Sequence, residues 1–130
     1  MLLKNKNAVI YGGGGAIGGA VARIFAREGA RVFIAGRTQA RLDGVAADIA
    51  AAGGAAETVQ VDAFDQQAVE QHAAAVAAKA GGIDIALNAV SVMHDQGTLL
   101  ADLSLEEFMR PIEGFLRTLF ITSKDQRMAS

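Results

Sequence analysis

Six glycines fall within the ten residues YGGGGAIGGA at positions 11 to 20. Glycine is the residue whose backbone costs most to order. Such a cluster suits a place where the chain turns tightly or where a ligand comes up against the backbone. At a turn from a strand into a helix, free N–H groups and the positive end of the helix dipole attract phosphate. Gly12 permits the turn, and Gly18 with Gly19 lets the helix start approach both sheet and ligand. About twenty residues on, where a carboxylate would bind the ribose 2′-hydroxyl of NAD, the chain reads AGRT at 35 to 38. Gly36 stands in the carboxylate's place, and Arg37 and Thr38 follow. A guanidinium with no carboxylate beside it suits a 2′-phosphate. The glycines and Arg37 together point to a dinucleotide, with NADP(H) preferred over NAD(H). The plainer alternatives are a glycine loop that only turns and an arginine that only meets solvent.

Other reactive side chains are scattered. His94 beside Asp95 is read as a loop pair, and His72 as a surface residue of a polar-faced helix. Asp62 and Asp65 lack the further carboxylate or histidine that a metal site would need, so no metal is expected. Ser91 and Ser104 have no base at a readable spacing, and Ser104 with Glu107 reads as a helix cap. Cysteine is absent, which removes disulfides, thiolate metal sites and a cysteine nucleophile.

The elements that must position these residues follow from hydrophobic patterning. Residues 7 to 11 and 31 to 35 are apolar runs without polar alternation, as for strands buried on both faces. Residues 58 to 62 and 83 to 90 read as the third and fourth strands. Between them lie helical spacings. After the glycine loop, Ile17, Val21, Ile24 and Phe25 predict one inward stripe, and Gly29 a stop. Thr38 is placed to cap a second helix with inner face Leu42, Val45, Ala46 and Ile49. Asp65 is placed to cap a third, reaching residue 80. A loop from 91 to 103 precedes a last helix, which Pro111 and Gly114 would bend or break. Strands alternating with helices predict an α/β fold: a doubly wound parallel sheet of about four strands, order 3-2-1-4, helices on both faces.

At 130 residues the chain has the size of a single domain, residues 1 to 130. Its net charge of −2, with both signs interspersed, offers no electrostatic reason for nucleic acid or a membrane surface as partner. No apolar run approaches the roughly 20 residues of a spanning helix, no secretory leader is evident, and a cytoplasmic location is the expectation.

Set against these elements, the sequence resembles the short-chain dehydrogenase/reductase family. The family's loop TGxxxG[IL]G is met by YGGGGAIG at 11 to 18, with Gly12, Ile17 and Gly18 matching and Tyr11 and Ala16 departing. Asp62 in VDAFD stands where the family's third strand ends in an adenine-binding aspartate. The family's NNAG is met by Leu87-Asn88-Ala89-Val90, with Asn88 and Ala89 matching. LSLEEFMRPIEGF is similar to the helix after strand four. The resemblance covers essentially the whole chain and the first half of a typical member. It implies a Rossmann fold in which Gly12, Gly14, Gly15, Ile17 and Gly18 cradle the pyrophosphate. It further implies Arg37 and Thr38 at the 2′-phosphate, Asp62 and Ala63 beside the adenine, and Asn88, Ala89 and Val90 along the nicotinamide-side ribose. Val90, replacing a glycine, adds bulk at that last contact.

The resemblance also implies a catalytic tyrosine, a lysine four residues after it, a serine and an asparagine. No YxxxK occurs here, the single tyrosine is Tyr11, and Phe115 stands at the asparagine's position. No catalytic residue is therefore assigned, and the family's catalytic segment is expected beyond SKDQRMAS. Three readings follow: the cofactor-binding part of a short-chain oxidoreductase that transfers hydride between carbonyl and alcohol, a non-catalytic nicotinamide-nucleotide sensor, or an assembly module. An apolar fourth-strand edge, with Leu105, Phe108, Ile112, Phe115, Leu116, Leu119 and Phe120 on the last helix, predicts a homodimer or higher homo-oligomer.

Overall fold

The computed structural model describes residues 2–90, 104–107, 109–110, 113–114, 116–117 and 121. Its elements run β1 (Asn7–Tyr11), α1 (Ala16–Arg27), β2 (Arg31–Gly36), α2 (Gln39–Ala51), β3 (Ala55–Gln60), α3 (Gln66–Ala80) and β4 (Ile85–Asn88). The four strands form one sheet in the order β3-β2-β1-β4, every neighbouring pair parallel. This is the doubly wound order expected from the alternation of strands and helices.

The two central strands explain why their sequences lack polar alternation. Ala8 and Ile10 of β1, with Val32 and Ile34 of β2, pack on the α1/α2 face beside Leu42, Val45 and Ile49. Val9, Tyr11, Phe33 and Ala35 face the other way, onto Val69, Ala73 and Val76 of α3. Both faces are covered, so each position must be apolar. Asn7 ties the bottom of the sheet together: its N–H donates to Asp84 Oδ2 at 2.8 Å, and its amide donates to the carbonyls of Ala80 and Gly82.

Several expectations are corrected. On α1 the buried residues are Gly18, Gly19, Ala22 and Ala26, whereas Ile17 is 74% and Ile24 47% exposed. The helix packs through its smallest residues because a Cβ on Gly19 would already lie 3.2 Å from Val45 Cγ2 of α2. At that distance an isoleucine has no room. The apolar stripe is thus rotated outward, with Val21 and Phe25 at its partly buried margin.

The third strand begins at Ala55 rather than 58 and ends at Gln60. Pairing with β2 sets those bounds: Ala55 lies opposite Arg31, and Glu57 takes ion pairs from both Arg31 and Lys79. As an edge strand it needs little apolar content, so propensity alone misses its start. The fourth strand, Ile85–Asn88, is shorter than the expected 83 to 90.

Capping is partly as read. Asp65 Oδ1 accepts the Ala68 N–H at 3.1 Å, and α3 closes on Gly81 at φ +86. Thr38 occupies the N-cap position of α2, but its side chain makes no capping hydrogen bond. Ser104 Oγ accepts the Glu107 N–H at 3.1 Å, one half of the expected capping pair. Gly114, expected to help break the last helix, is itself helical. Leu105 and Leu116 are exposed, and Ile121 is buried in the α3-side core. Ser91, His94, Asp95, Phe108, Pro111, Ile112, Phe115, Leu119 and Phe120 lie outside the described residues.

Candidate dinucleotide site

The glycine loop leaves β1 at its C-terminal end and is pinned there by backbone alone. The N–H groups of Gly12 and Gly13 both donate to the Ala35 carbonyl, at 2.8 and 3.1 Å, which fastens the loop to the end of β2. Gly12 adopts φ +80, a conformation L side chains rarely take, and a Cβ there would fall 2.6 Å from the Ala89 carbonyl. Gly18 is required for a different reason. Its Cβ would lie 2.2 Å from the Gly12 carbonyl oxygen, so only glycine lets α1 begin directly against the turn.

The start of α1 is open to an anion. Its N-cap is Gly15, without a side-chain cap, and its first turn carries no acidic residue. The N–H groups of Ala16 and Ile17 reach no acceptor among the described residues. Helix ends ordinarily satisfy such donors with a capping oxygen; here none is supplied, and the N-cap Gly15 lines a cleft.

That cleft has a volume of about 230 Å³. It brings together the loop at Gly12, Gly14 and Gly15, the β2 end at Arg37 and Thr38, and Ala63, Ala89 and Val90 from the ends of β3 and β4. Four loops at the carboxyl ends of parallel strands thus converge at the point where strand order reverses, where open α/β sheets bind ligands. Asp62 sits at the cleft's edge, its Oδ2 3.9 Å from Arg37 Nη2. Asn88 does not line the cleft; its Oδ1 accepts the Val90 N–H at 3.0 Å and fixes the β4 turn. Gly18 lies buried beneath the loop. Ile17 also lies off the cleft lining, exposed on the outer side of α1.

Gly36 contributes more than the absence of a carboxylate. A Cβ at this position would come within 3.2 Å of Leu42 Cδ2, so a larger side chain there would crowd the start of α2. Sequence reading also overlooked Arg41 and Val61, which line the same cleft. Arg41 was legible in principle, as a basic residue in the first turn of a predicted helix directly after the Arg37-Thr38 corner.

His72 is placed inside the protein rather than on its surface. It is 5% exposed, its ring meets that of Tyr11 edge-on at 5.8 Å, and its Nδ1 has no hydrogen-bond partner among the described residues. Burial lowers its pKa below the ordinary histidine value. The buried side of its helix is Val69, His72, Ala73 and Val76, so the histidine lies within the inner stripe. Tyr11, 1% exposed, lies in the α3-side core and not in the cleft. No group of three potential metal ligands occurs among the described residues. No helix there is long and apolar enough to cross a membrane.

A family profile described as short chain dehydrogenase matches residues 6–126. The chain belongs to that family. Among its relatives, meso-2,3-butanediol dehydrogenase of Serratia marcescens is 39% identical over 110 residues, covering 85% of this chain and 42% of that protein. The crystal structure of a short-chain type dehydrogenase/reductase from Mycobacterium marinum superposes with a TM-score of 0.85 at 34% identity, over 98% of this chain and 51% of that one. A metagenomic short-chain oxidoreductase in complex with NADP superposes with a TM-score of 0.84 at 29% identity, over 99% and 58%. This short-chain dehydrogenase chain spans about half the length of such relatives.

Proposed function

We propose that this chain is the NADP(H)-binding domain, residues 1 to 130, of a short-chain oxidoreductase. The observation that carries the reading is a single cleft shared by the uncapped, acid-free start of α1 and the Arg37-Thr38 corner. The first suits a pyrophosphate. The second suits a 2′-phosphate, because Gly36 presents no carboxylate to repel it. The NADP bound by the metagenomic relative supports the same preference. In this reading Gly12, Gly14, Gly15, Ile17 and Gly18 form or brace the pyrophosphate loop. Asp62 and Ala63 border the adenine, and Asn88, Ala89 and Val90 the nicotinamide-side ribose. Bound nicotinamide supplies the hydride.

The proton is the missing half. The developing alkoxide needs a positioned acid, and Tyr11 is buried away from the cleft. These 130 residues therefore bind cofactor without turning over a carbonyl substrate. The protein works in the cytoplasm and pairs with a second copy of itself through β4, which stands at the end of the strand order among the described residues.

Titration by calorimetry or nucleotide fluorescence tests the cofactor assignment. NADPH binds more tightly than NADH, and Arg37→Ala weakens NADPH by about 1.5 kcal/mol while barely changing NADH. This lower end of the charge-assisted range reflects a side chain that is 71% exposed and shared with Asp62. Equal affinities for the two nucleotides in the unmodified chain overturn the preference.

A further inference from the structure

Arg41 stands in the first turn of α2, at the positive end of the helix dipole. That end favours anions, and a cation there is unfavourable by a few tenths of a kcal/mol or more. The start of α2 itself offers no compensation. The first turn of α2 holds no acidic residue, Thr38 leaves its hydroxyl out of the cap, and Asp43, one turn on, accepts from Gln39. Arg41 makes no ion pair or side-chain hydrogen bond among the described residues. Two arginines and an uncapped helix start therefore crowd positive charge into one corner of the cleft.

The placement of Arg41 is fixed from below. A Cβ on Gly14 would lie 3.0 Å from Arg41 Cβ, so the base of the arginine rests on the glycine loop, and the residue lines the cleft. Arg41 lines both the main cleft and a neighbouring recess that it shares with Gly14, Gly15, Ala16 and the Arg23–Asp48 ion pair. Arg37, by contrast, already has the Asp62 carboxylate at 3.9 Å. A dianionic group bound at this corner would meet one arginine partly neutralised and one uncommitted.

We infer that Arg41 is a specificity-determining residue, the second and less encumbered guanidinium for a ribose 2′-phosphate. A departure from local preference that the fold does not compensate is expected where a ligand supplies the compensation. This inference rests on the cofactor reading above and extends it to a residue outside the β2-end motif.

The test is titration of the 130-residue chain and of Arg41→Ala, Arg41→Gln and Arg41→Lys with NADPH and with NADH, at several salt concentrations. Arg41→Ala and Arg41→Gln are expected to weaken NADPH about tenfold, the scale of one charge-assisted hydrogen bond. NADH should stay within about twofold of the unmodified chain, the scale of a lost surface charge. The NADPH affinity should also fall less steeply with salt in both variants, because a screened ion contact has gone, and Arg41→Lys should recover part of both effects. Unchanged NADPH affinity overturns the inference. So does an equal loss for both nucleotides, which would place Arg41 on the pyrophosphate. An unmodified chain that binds neither nucleotide overturns the cofactor reading itself, whereas NADPH binding indifferent to Arg41 overturns only its extension.

Discussion

Replacing glycine by alanine at two helical positions should have opposite effects, and the structure sets both signs. Gly18 and Gly44 both lie inside helices, so intrinsic propensity alone favours alanine at each by about 0.5–1 kcal/mol. At Gly44 a Cβ meets nothing within 4 Å. Gly44→Ala should therefore realise that gain, partly by restricting the unfolded chain. At Gly18 the new Cβ falls 2.2 Å from the Gly12 carbonyl oxygen and 2.9 Å from its carbonyl carbon. Both atoms are backbone, so relief requires α1 or the loop to move as a unit. Overpacking of this kind costs about 1–3 kcal/mol, and contact with backbone on both atoms puts Gly18 toward the upper end, which leaves Gly18→Ala up to about 2.5 kcal/mol less stable after the propensity gain. Because the displaced atoms carry the turn that faces the cleft, nucleotide affinity should fall with stability in Gly18→Ala and stay level in Gly44→Ala. Urea denaturation followed by circular dichroism at constant slope, with NADPH titration of the same samples, measures both quantities. A stable Gly18→Ala variant with intact binding would refute the argument that contact with Gly12, rather than helix geometry in general, demands glycine there.

Two further predictions concern α3. His72 has a folded pKa below its ordinary value because burial disfavours the charged ring. The unfolded chain therefore binds the proton more readily, and stability is full above about pH 6.5 and declines as pH falls toward the folded pKa. Urea midpoints at pH 8 and pH 5.5 should show that decline, and His72→Phe should flatten it. Asp65→Ala should cost about 1 kcal/mol by removing the oxygen that accepts the Ala68 N–H, and Asp65→Asn should recover most of it in the same assay.

The strand order and the glycine turn were legible because both are local. Buried central strands must be apolar at every position, and Gly12 is followed by a helix whose start cannot tolerate a side chain at Gly18. What the sequence concealed depends on distance between helices. Ile17 and Ile24 have the spacing of an inner stripe, yet α1 lies so close to the loop and to α2 that only Gly18, Gly19, Ala22 and Ala26 fit beneath it. Periodicity reports which residues share a face, and it does not report how near the opposing surface lies. His72 was misplaced as well. It shares the buried side of α3 with Val69, Ala73 and Val76 and packs edge-on against Tyr11, a position that a titratable side chain does not announce in the sequence.

The chemistry follows the same division. Arg37 follows the end of β2 in a motif readable from spacing, whereas Arg41 becomes notable only from a first turn of α2 without an acid or a side-chain cap, and without an ion-pair partner for the arginine among the described residues. A helix start that carries an arginine in place of a carboxylate gives up local stability. The same arrangement adds the Arg41 charge to that of Arg37, which Asp62 partly neutralises, beside the glycine loop. At α1 the loop likewise forgoes a capping side chain at Gly15 and any acid in the first turn. Two helix starts left without their usual anions, opening on one cleft, match a ligand with two separated anionic groups better than they match a site for any single phosphate.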